Sequence, residues 1–542
     1  MPQVSSKILG NSVSALAAQQ ALIANISNNI ANVNTPGFAR RSVDLLSRAD
    51  GGSASSIQIG SGVEVGEVRR LADNYLESLM RIAGSDKGAA EVRDSYLGRL
   101  EPLFGLKDTD ITIGSSLNEF FSAINQLSAA PSNMDLRLNV LQRGEDVVSS
   151  IKSAYNMVAK LQTEADNRIQ EEVEFINTYS SQIASLNGLI STREASGGVA
   201  ADERDQRDVL LNQLAERVSY SSAEGANGSV TITLENGFPL VSGTTARALE
   251  TTAAPTFATS FPPSLGGGAL SYIVYNYGTA ASPSHLDLTS TLGNGGGSVG
   301  GLLSLRGITN NSQTSSFQAQ GELVDVASRI EALTRTLLTT VNATYRGVDE
   351  DSGTAGFQPN AADLNGNAPG VFGLFDYTYS GVKDVNGNGI AELSDLSTLD
   401  NYSSALTFAV VTPAGFAAAR DNNTTAGVTN FSSGDAQNAQ ALVALRTTSL
   451  NFSAGNFSST GTFDDLYNGT VSFVGNSKSA AQSELAVTSA NYTSAANKRD
   501  SFSAVNLDEE FTNLIKYQKA FQASARMIKT ATDLLDTIVS LL

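Results

Sequence analysis

The sequence predicts a multidomain fold, mainly α with β-rich inserts, in which discontinuous domains are nested inside one another. Three observations predict it. Apolar heptad seams run through both chain ends. A much longer seam runs through the interior. Between the helical stretches lie weakly charged, Gly-, Ser- and Thr-rich segments with period-two alternation. At 542 residues the chain has room for about three or four domains of ordinary size.

The first helix is read from Leu9, Val13, Leu16, Ile23 and Ile30, which follow a 4-3 spacing broken by Gln20 and Ser27. It should stop near Asn32, because Asn34-Thr35-Pro36-Gly37 is a turn signal and Pro36 pushes Thr35 out of the α region. Residues 66–220 read as mainly helical. The clearest helix spans 145–190, where Val148, Ile151, Tyr155, Val158, Ile169, Ile176, Ile183 and Ile190 keep the seam. About 45 helical residues would reach about 68 Å, which suits a rod better than a globule. A helix over 209–218 follows the charged run Asp202 to Asp208.

At about residue 221 the character changes. Ser229-Val230-Thr231-Ile232-Thr233-Leu234 alternates with period two, and Asn236-Gly237 supplies a hairpin turn. Helix returns over 317–345, an irregular β-leaning stretch covers 347–430, and helices resume at 436–445 and from about 476. The last seam runs through Leu507, Phe511, Leu514, Phe521, Ala525, Ile528, Leu535, Val539 and Leu542, broken by Gln518 and Thr532. Asp508, Glu509 and Glu510 occupy its first turn, where the helix dipole favours negative charge. The predicted organisation is a terminal coiled-coil assembly domain (1–50 with 500–542), a long-helix bundle forming the rod (51–220, 315–346 and 431–499), a β-rich insert (221–314) and a second, β-leaning insert (347–430). Chain ends are ordinarily frayed and polar. Apolar seams at both ends therefore predict that they pair with each other or with other subunits.

Composition narrows the function. With 35 Lys+Arg against 54 Asp+Glu the net charge is −19, a poor match to nucleic acid, whose phosphates need a basic surface. There is no Cys, so thiolate nucleophiles, disulfides and Cys-based zinc sites are excluded. The single His, His285, reads as a solvated loop residue. Gly296-Gly297-Ser298-Val299-Gly300 spells a nucleophile elbow, but hydrolase order needs a His after the Ser, and His285 precedes it. No enzymatic activity and no membrane partner are expected. The start, Met1-Pro2-Gln3-Val4-Ser5-Ser6-Lys7, lacks the apolar core of a cleavable signal peptide.

One motif points to a metal. Asp384, Asn386, Asn388, the Ile390 carbonyl, Glu392 and Asp395 sit at the ligand positions of a calcium loop, with Gly389 at its turn. Asp395 is shorter than the usual bidentate Glu. Ca²⁺ is the ion this loop would take; nothing else in the sequence requires a cofactor.

The termini carry a resemblance. The stretch from Asn25 through Asn32, Asn34, Thr35, Pro36 and Gly37 to Phe38 resembles the N-terminal motif of bacterial flagellar axial proteins, the rod, hook and hook-associated subunits. Asn506, Leu507, Tyr517, Gln518 and Ala520 stand in a stretch similar to their C-terminal motif. Asp205-Gln206-Arg207-Asp208, Gly237-Phe238-Pro239, Gly300-Gly301-Leu302-Leu303 and Asn438-Ala439 look like the hook-associated branch. Phe38 stands where Tyr is frequent, and Ala504 where Gly is common.

The resemblance implies a structural subunit exported by the flagellum's own type III pathway without a cleaved signal. It implies assembly outside the cell, as a ring of copies between the hook protein and the second hook–filament junction protein. A cytosolic export chaperone would hold the C-terminal helix. The two alternatives are another axial subunit of hook type and a secreted calcium-binding adhesin.

Overall fold

The computed structural model describes residues 2–48, 60–104, 112–253, 265, 270–278, 284–308, 320–347, 361–369, 373–377, 402–420 and 432–540. Helices dominate them: α1 (Pro2–Ala31), α2 (Asn74–Leu100), α3 (Ile113–Ala129), α4 (Met134–Ala195), α5 (Ala201–Ala215), α6 (Thr289–Gly293), α7 (Gly297–Arg306), α8 (Glu322–Thr336), α9 (Asn342–Arg346), α10 (Tyr402–Ala405), α11 (Gln437–Ala444), α12 (Phe463–Ser503) and α13 (Leu507–Ser540). The sheets among the described residues are small and antiparallel. The chain divides into two compact units. One comprises Met1–Lys87, Phe175–Ala248 and Thr488–Leu542; the other comprises Gly88–Glu174 and Leu249–Val487.

The first unit contains both chain ends. Helix α1 stops at Ala31, as the Pro36 turn predicts. The chain then forms an antiparallel hairpin of β1 (Arg41–Ser47) and β2 (Val63–Arg70), with a bulge between Val43 and Leu45. This hairpin takes residues 66–70 out of the stretch expected to be helical. Helix α5 begins at Ala201, so the charged run 202–208 lies inside it rather than before it. A meander follows: β3 (Tyr220–Glu224), β4 (Val230–Leu234), β5 (Pro239–Ser242) and β6 (Thr245–Ala246). Val230, Ile232 and Leu234 point inward, as the alternation demands, and Gly237 turns at φ 85°. The buried Asn187 of α4 fastens this sheet. Its amide donates to the Val230 and Gly243 carbonyls, both at 2.8 Å, and its oxygen accepts from the Val230 amide at 3.0 Å.

The second unit has one large core. The α4 residues Val147, Ile151, Tyr155, Val158 and Leu161 are fully buried in it, alongside Leu117, Phe120 and Ile124 of α3 and Ile330 and Leu333 of α8. Helix α3 starts on a capping box of Thr112 and Ser115. A π-helical turn at Leu337–Val341 joins α8 to α9. The remaining strands are β7 (Leu249–Thr252), β8 (Tyr272–Asn276) and β9 (His285–Asp287) in one sheet, then the pairs β10 (Ala361–Ala362) with β13 (Ala419–Arg420), β11 (Phe375–Tyr377) with β12 (Leu406–Phe408), and β14 (Leu450–Ala454) with β15 (Phe457–Gly461). His285 therefore belongs to a strand, not a loop, with Nε2 3.5 Å from Glu250. Gly300 and Gly301 lie where helix α7 packs tightly. A Cβ at Gly300 would meet the Gly295 carbonyl at 2.1 Å, and one at Gly301 the Ala89 carbonyl at 2.6 Å. Ser298 sits in this packing helix and not on an elbow between strand and helix.

Buried side chains pin the irregular segments to the helices. Asn342 accepts from the Leu374 and Phe375 amides, both at 2.9 Å, and donates to the Phe375 carbonyl at 2.7 Å and the Leu338 carbonyl at 3.0 Å. Glu331, fully buried, accepts from the Tyr402 and Ser403 amides and from the Ser403 hydroxyl. Asn438 donates to the Tyr345 and Ala417 carbonyls, both at 2.8 Å. Removing such a partner strands several buried groups at once. Asn342→Ala should therefore destabilise the second unit by about 2–4 kcal/mol, whereas Val411→Ala, at a residue 85% exposed, should stay within about 0.5 kcal/mol. Native-state hydrogen exchange of peptides covering 322–346 and 373–377 reads both changes; equal protection in the two variants would contradict the role given to Asn342.

Candidate assembly site where the chain ends meet

The N-terminal motif lies at the end of α1, and several of its side chains close the turn or hold the strand that follows. Asn32 bonds back to Asn28 and accepts from the Thr35 hydroxyl at 3.1 Å, closing the turn after the helix. Gly37 follows at φ 78°, a conformation that favours glycine. A Cβ there would also stand 2.2 Å from Val209 Cγ2 on α5, so the turn sits directly against that helix. Asn29, buried, brackets the Arg41 peptide: it donates to the carbonyl at 3.0 Å and accepts from the amide at 3.1 Å. Asn25 donates to the same carbonyl at 2.8 Å.

The C-terminal motif arrives at the same place. Asn506 caps α13, accepting from the Asp508 amide at 3.0 Å. Glu510, buried in the first turn, accepts from Asn29 at 3.3 Å and from Arg40 Nε at 2.7 Å. Glu509 takes the other face of Arg40 in a bidentate pair at 2.8 and 2.9 Å. That pair is the first cause of a raised Arg40 guanidinium pKa and of a lowered Glu509 carboxyl pKa. The Asn29–Glu510 bond sets the end of α1 beside the start of α13, so the two helices run antiparallel with opposed dipoles.

Helix α5 anchors this meeting point with two carboxylates. Asp205 accepts from the Ala39 amide at 3.3 Å, from Arg70 Nε at 2.6 Å and from Arg41 at 3.4 Å. Arg41 also pairs with Asp202 and lies over the Phe38 ring, 4.9 Å from its centroid. Asp208 is held by Arg70 and by Arg81 Nη2, the latter at 2.7 Å. Burial alone would push the Asp208 carboxyl up, but Arg70 and Arg81 outweigh it and hold the group below the ordinary aspartate value. Glu77 goes the other way: burial, with Asp208 nearby, raises it. This arrangement holds segments together. It has no nucleophile set against a base.

The predicted assembly residues occupy the flanks of the helix pair. On α1, Leu9, Leu16, Ile23 and Ile30 are half-buried and Val13 is 51% exposed, while the buried stripe is the adjacent Ser12, Ala18, Leu22, Ile26 and Asn29. On α13, Leu514, Phe521, Ala525, Ile528 and Leu535 are half-buried, and Leu507, Phe511 and Val539 are exposed. Tyr517 and Ala520 are half-buried; Gln518, Asn34, Thr35 and Pro36 are exposed. Sequence reasoning missed the buried Ala531 and the exposed Ile515, Met527 and Leu534, because a seven-residue period cannot tell which of two adjacent stripes meets a partner. Leu542 and the calcium loop, Asp384 to Asp395, lie outside the described residues. Among those described, no group of three or more acidic or His side chains is arranged to hold a metal ion. Asp363-Leu364-Asn365-Gly366-Asn367, which echoes the start of the calcium-loop pattern, is a closed turn whose carboxylate accepts from the Asn365 and Asn367 amides.

Residues 97–358 match the model for the flagellar hook-associated protein FlgK helical domain. Residues 9–38 match that of the flagella basal body rod protein, and 497–541 the flagellar basal body rod FlgEFG protein C-terminal. The chain is 27% identical to flagellar hook-associated protein 1 of Salmonella typhimurium, covering 99% of this chain and 100% of the relative. It is 24% identical to that of Bacillus subtilis, covering 97% and 96%. A solved structure of the flagellar hook junction protein FlgK from Burkholderia pseudomallei is similar in fold, with a TM-score of 0.59 at 15% identity, over 78% of this chain and 99% of that one.

The contact of Gly37 with α5 gives a direct test. Gly37→Ala should cost the first unit about 2–3 kcal/mol through clash and backbone strain. Adding Val209→Ala removes the clashing methyl and should restore part of the loss but not the φ penalty. Denaturant unfolding of the three variants measures this; purely additive losses would sink the steric reading.

Proposed function

We infer, for a chain that belongs to the flagellar hook-associated protein 1 family, how a structural subunit of the bacterial flagellum joins the hook to the filament. The subunit assembles through its terminal helices into a ring of identical copies. The observation that carries this reading is the apolar surface left over once α1 and α13 have paired. Val13, Phe511, Ile515, Met527, Leu534 and Val539 all remain exposed, with Ile515 at 60% and Val539 at 71%. Single exposed apolar residues are ordinary, but a helix pair carrying them along both flanks has a surface suited to further helices. Repeated copies related by a screw operation would cover those flanks by heterologous contacts that propagate along the axis.

On this reading the partners are other copies of the chain, the hook protein below and the second junction protein above. Before assembly the C-terminal helix needs cover, which a cytosolic export chaperone would supply. Among the described residues no helix is long and apolar enough to cross a membrane, and export would use the flagellar route with no cleaved signal. Calcium at the Asp384 loop is a separate proposal, independent of assembly, tested by calorimetric titration of the full chain with Ca²⁺.

A strain without the protein should carry hooks but shed unpolymerised filament subunit, visible by electron microscopy. Complementation with Ile515→Ser should leave the thermal unfolding of the purified chain within about 0.5 kcal/mol of the parent, yet fail to restore filaments. Removal of residues 532–542 should leave the second unit folded and likewise fail to restore filaments. Normal filaments in either complemented strain would refute the assembly role of this helix.

A further inference from the structure

The first unit contains a second feature, next to the anchor of the chain ends and sharing Arg70, Arg81 and Asp208 with it. A cavity of about 90 Å³ lies between the start of α2, helix α5 and the β3–β4 edge of the meander. Four guanidinium groups line it, those of Arg70, Arg81, Arg204 and Arg207, against two carboxylates, Asp208 and Glu224. Asp205, Glu77 and Glu194 also stand within ion-pair distance of these arginines, so what marks the site is which donor is left without a partner.

The carboxylates are already committed. Asp208 is shared by Arg70 and Arg81. Glu224 is bonded to Arg204, which also holds Glu194 in a bidentate pair at 2.7 and 3.0 Å. Arg207 is the group left short. It is only 3% exposed, and Nη1 is satisfied by Asn187 Oδ1 at 3.1 Å and the Gly228 carbonyl at 2.6 Å. Its Nη2 stands 3.7 Å from Glu224, beyond hydrogen-bond reach, and its Nε is buried with no acceptor. Leaving a charged donor desolvated and unpaired is costly. Burial, outweighing Asp208 and Glu224, depresses the Arg207 guanidinium pKa, and Arg204 and Arg70 push the same way. Ser78 and Ser222, both exposed at the rim, give the cavity hydroxyls and an opening to solvent.

We propose that this cavity binds one small tetrahedral oxyanion of the phosphate or sulfate class, with the Arg207 guanidinium as its central donor. The cavity has room for several waters and therefore for an anion of this size. Such an anion accepts from several guanidinium groups at once, which a single water cannot do. It would tie the meander to α5 and α2 within the first unit.

The test is isothermal titration of the full chain, in a buffer free of both ions, with inorganic phosphate and separately with sulfate. Thermal unfolding is recorded in parallel. One-to-one binding by either ion is expected, with an upward shift in the unfolding midpoint, and the stronger of the two names the ligand. Arg207→Gln should weaken binding at least tenfold. Ser222→Glu keeps every arginine and places a carboxylate at the cavity mouth. It should raise the unfolding midpoint in ion-free buffer and abolish the response to added anion. No binding by either ion at 10 mM, or binding unchanged in both variants, would overturn the proposal. Neither result bears on assembly, which is read from filaments.

Discussion

Burying a carboxylate is tolerable only when a partner replaces the water it loses, and helix α5 buries or half-buries two of them within one turn. Asp205 and Asp208 can be placed there because Arg41 and Arg70 from the β1–β2 hairpin and Arg81 from α2 come to meet them. The dependence runs both ways. Those arginines fix the hairpin, and the hairpin carries Ala39, Arg40 and Arg41, on which the two terminal motifs converge. Each carboxylate serves two guanidinium groups, so removing one loosens two attachments rather than one. The ionic cluster is therefore weak evidence of net stability but a strong device for specifying which segments meet.

From that anchor the terminal helices acquire their direction. Arg40 grips Glu509 and Glu510 while its amide donates to the Ser503 carbonyl at 2.8 Å, so the end of α12 and the start of α13 meet the hairpin at one residue. Asn29 links the same point to α1. Small side chains, Ala18 of α1 and Ala531 of α13, are fully or almost fully buried, whereas larger apolar groups on both helices remain exposed. The arrangement orders the pair without using up its apolar surface, as the proposed polymerisation requires.

Much of the helical architecture was legible in the sequence, because heptad spacing over many turns admits few other readings. The stop of α1 at the Asn34-Thr35-Pro36-Gly37 turn and the hairpin at Asn236-Gly237 were legible for the same reason: proline and glycine restrict the backbone locally. What escaped was non-local. The β1–β2 hairpin owes its place to α1 and α5, and its alternation is blurred by a bulge and by charged residues that pair far along the chain. The charged run 202–208 reads as a stretch ahead of a helix because the partners of Asp202, Asp205 and Asp208 lie more than 100 residues away. The β14–β15 hairpin was missed although Leu450, Phe452 and Ala454 alternate with polar residues, since five-residue runs of that kind are common in so Ser- and Asn-rich a chain. At the candidate site the family motifs were visible as letters. That Gly37 answers to Val209, and Glu510 to Asn29 and Arg40, could only be seen in three dimensions.

The dependence of both chain ends on α5 can be measured by hydrogen exchange in the full chain carrying Asp205→Asn. Peptides covering 39–41 and the first turns of α13 should lose protection together, while those covering α3 and α8 in the second unit keep theirs. Wild-type protection at 39–41 and at the start of α13 in that variant would contradict the view that the carboxylates of α5 hold the two ends in place.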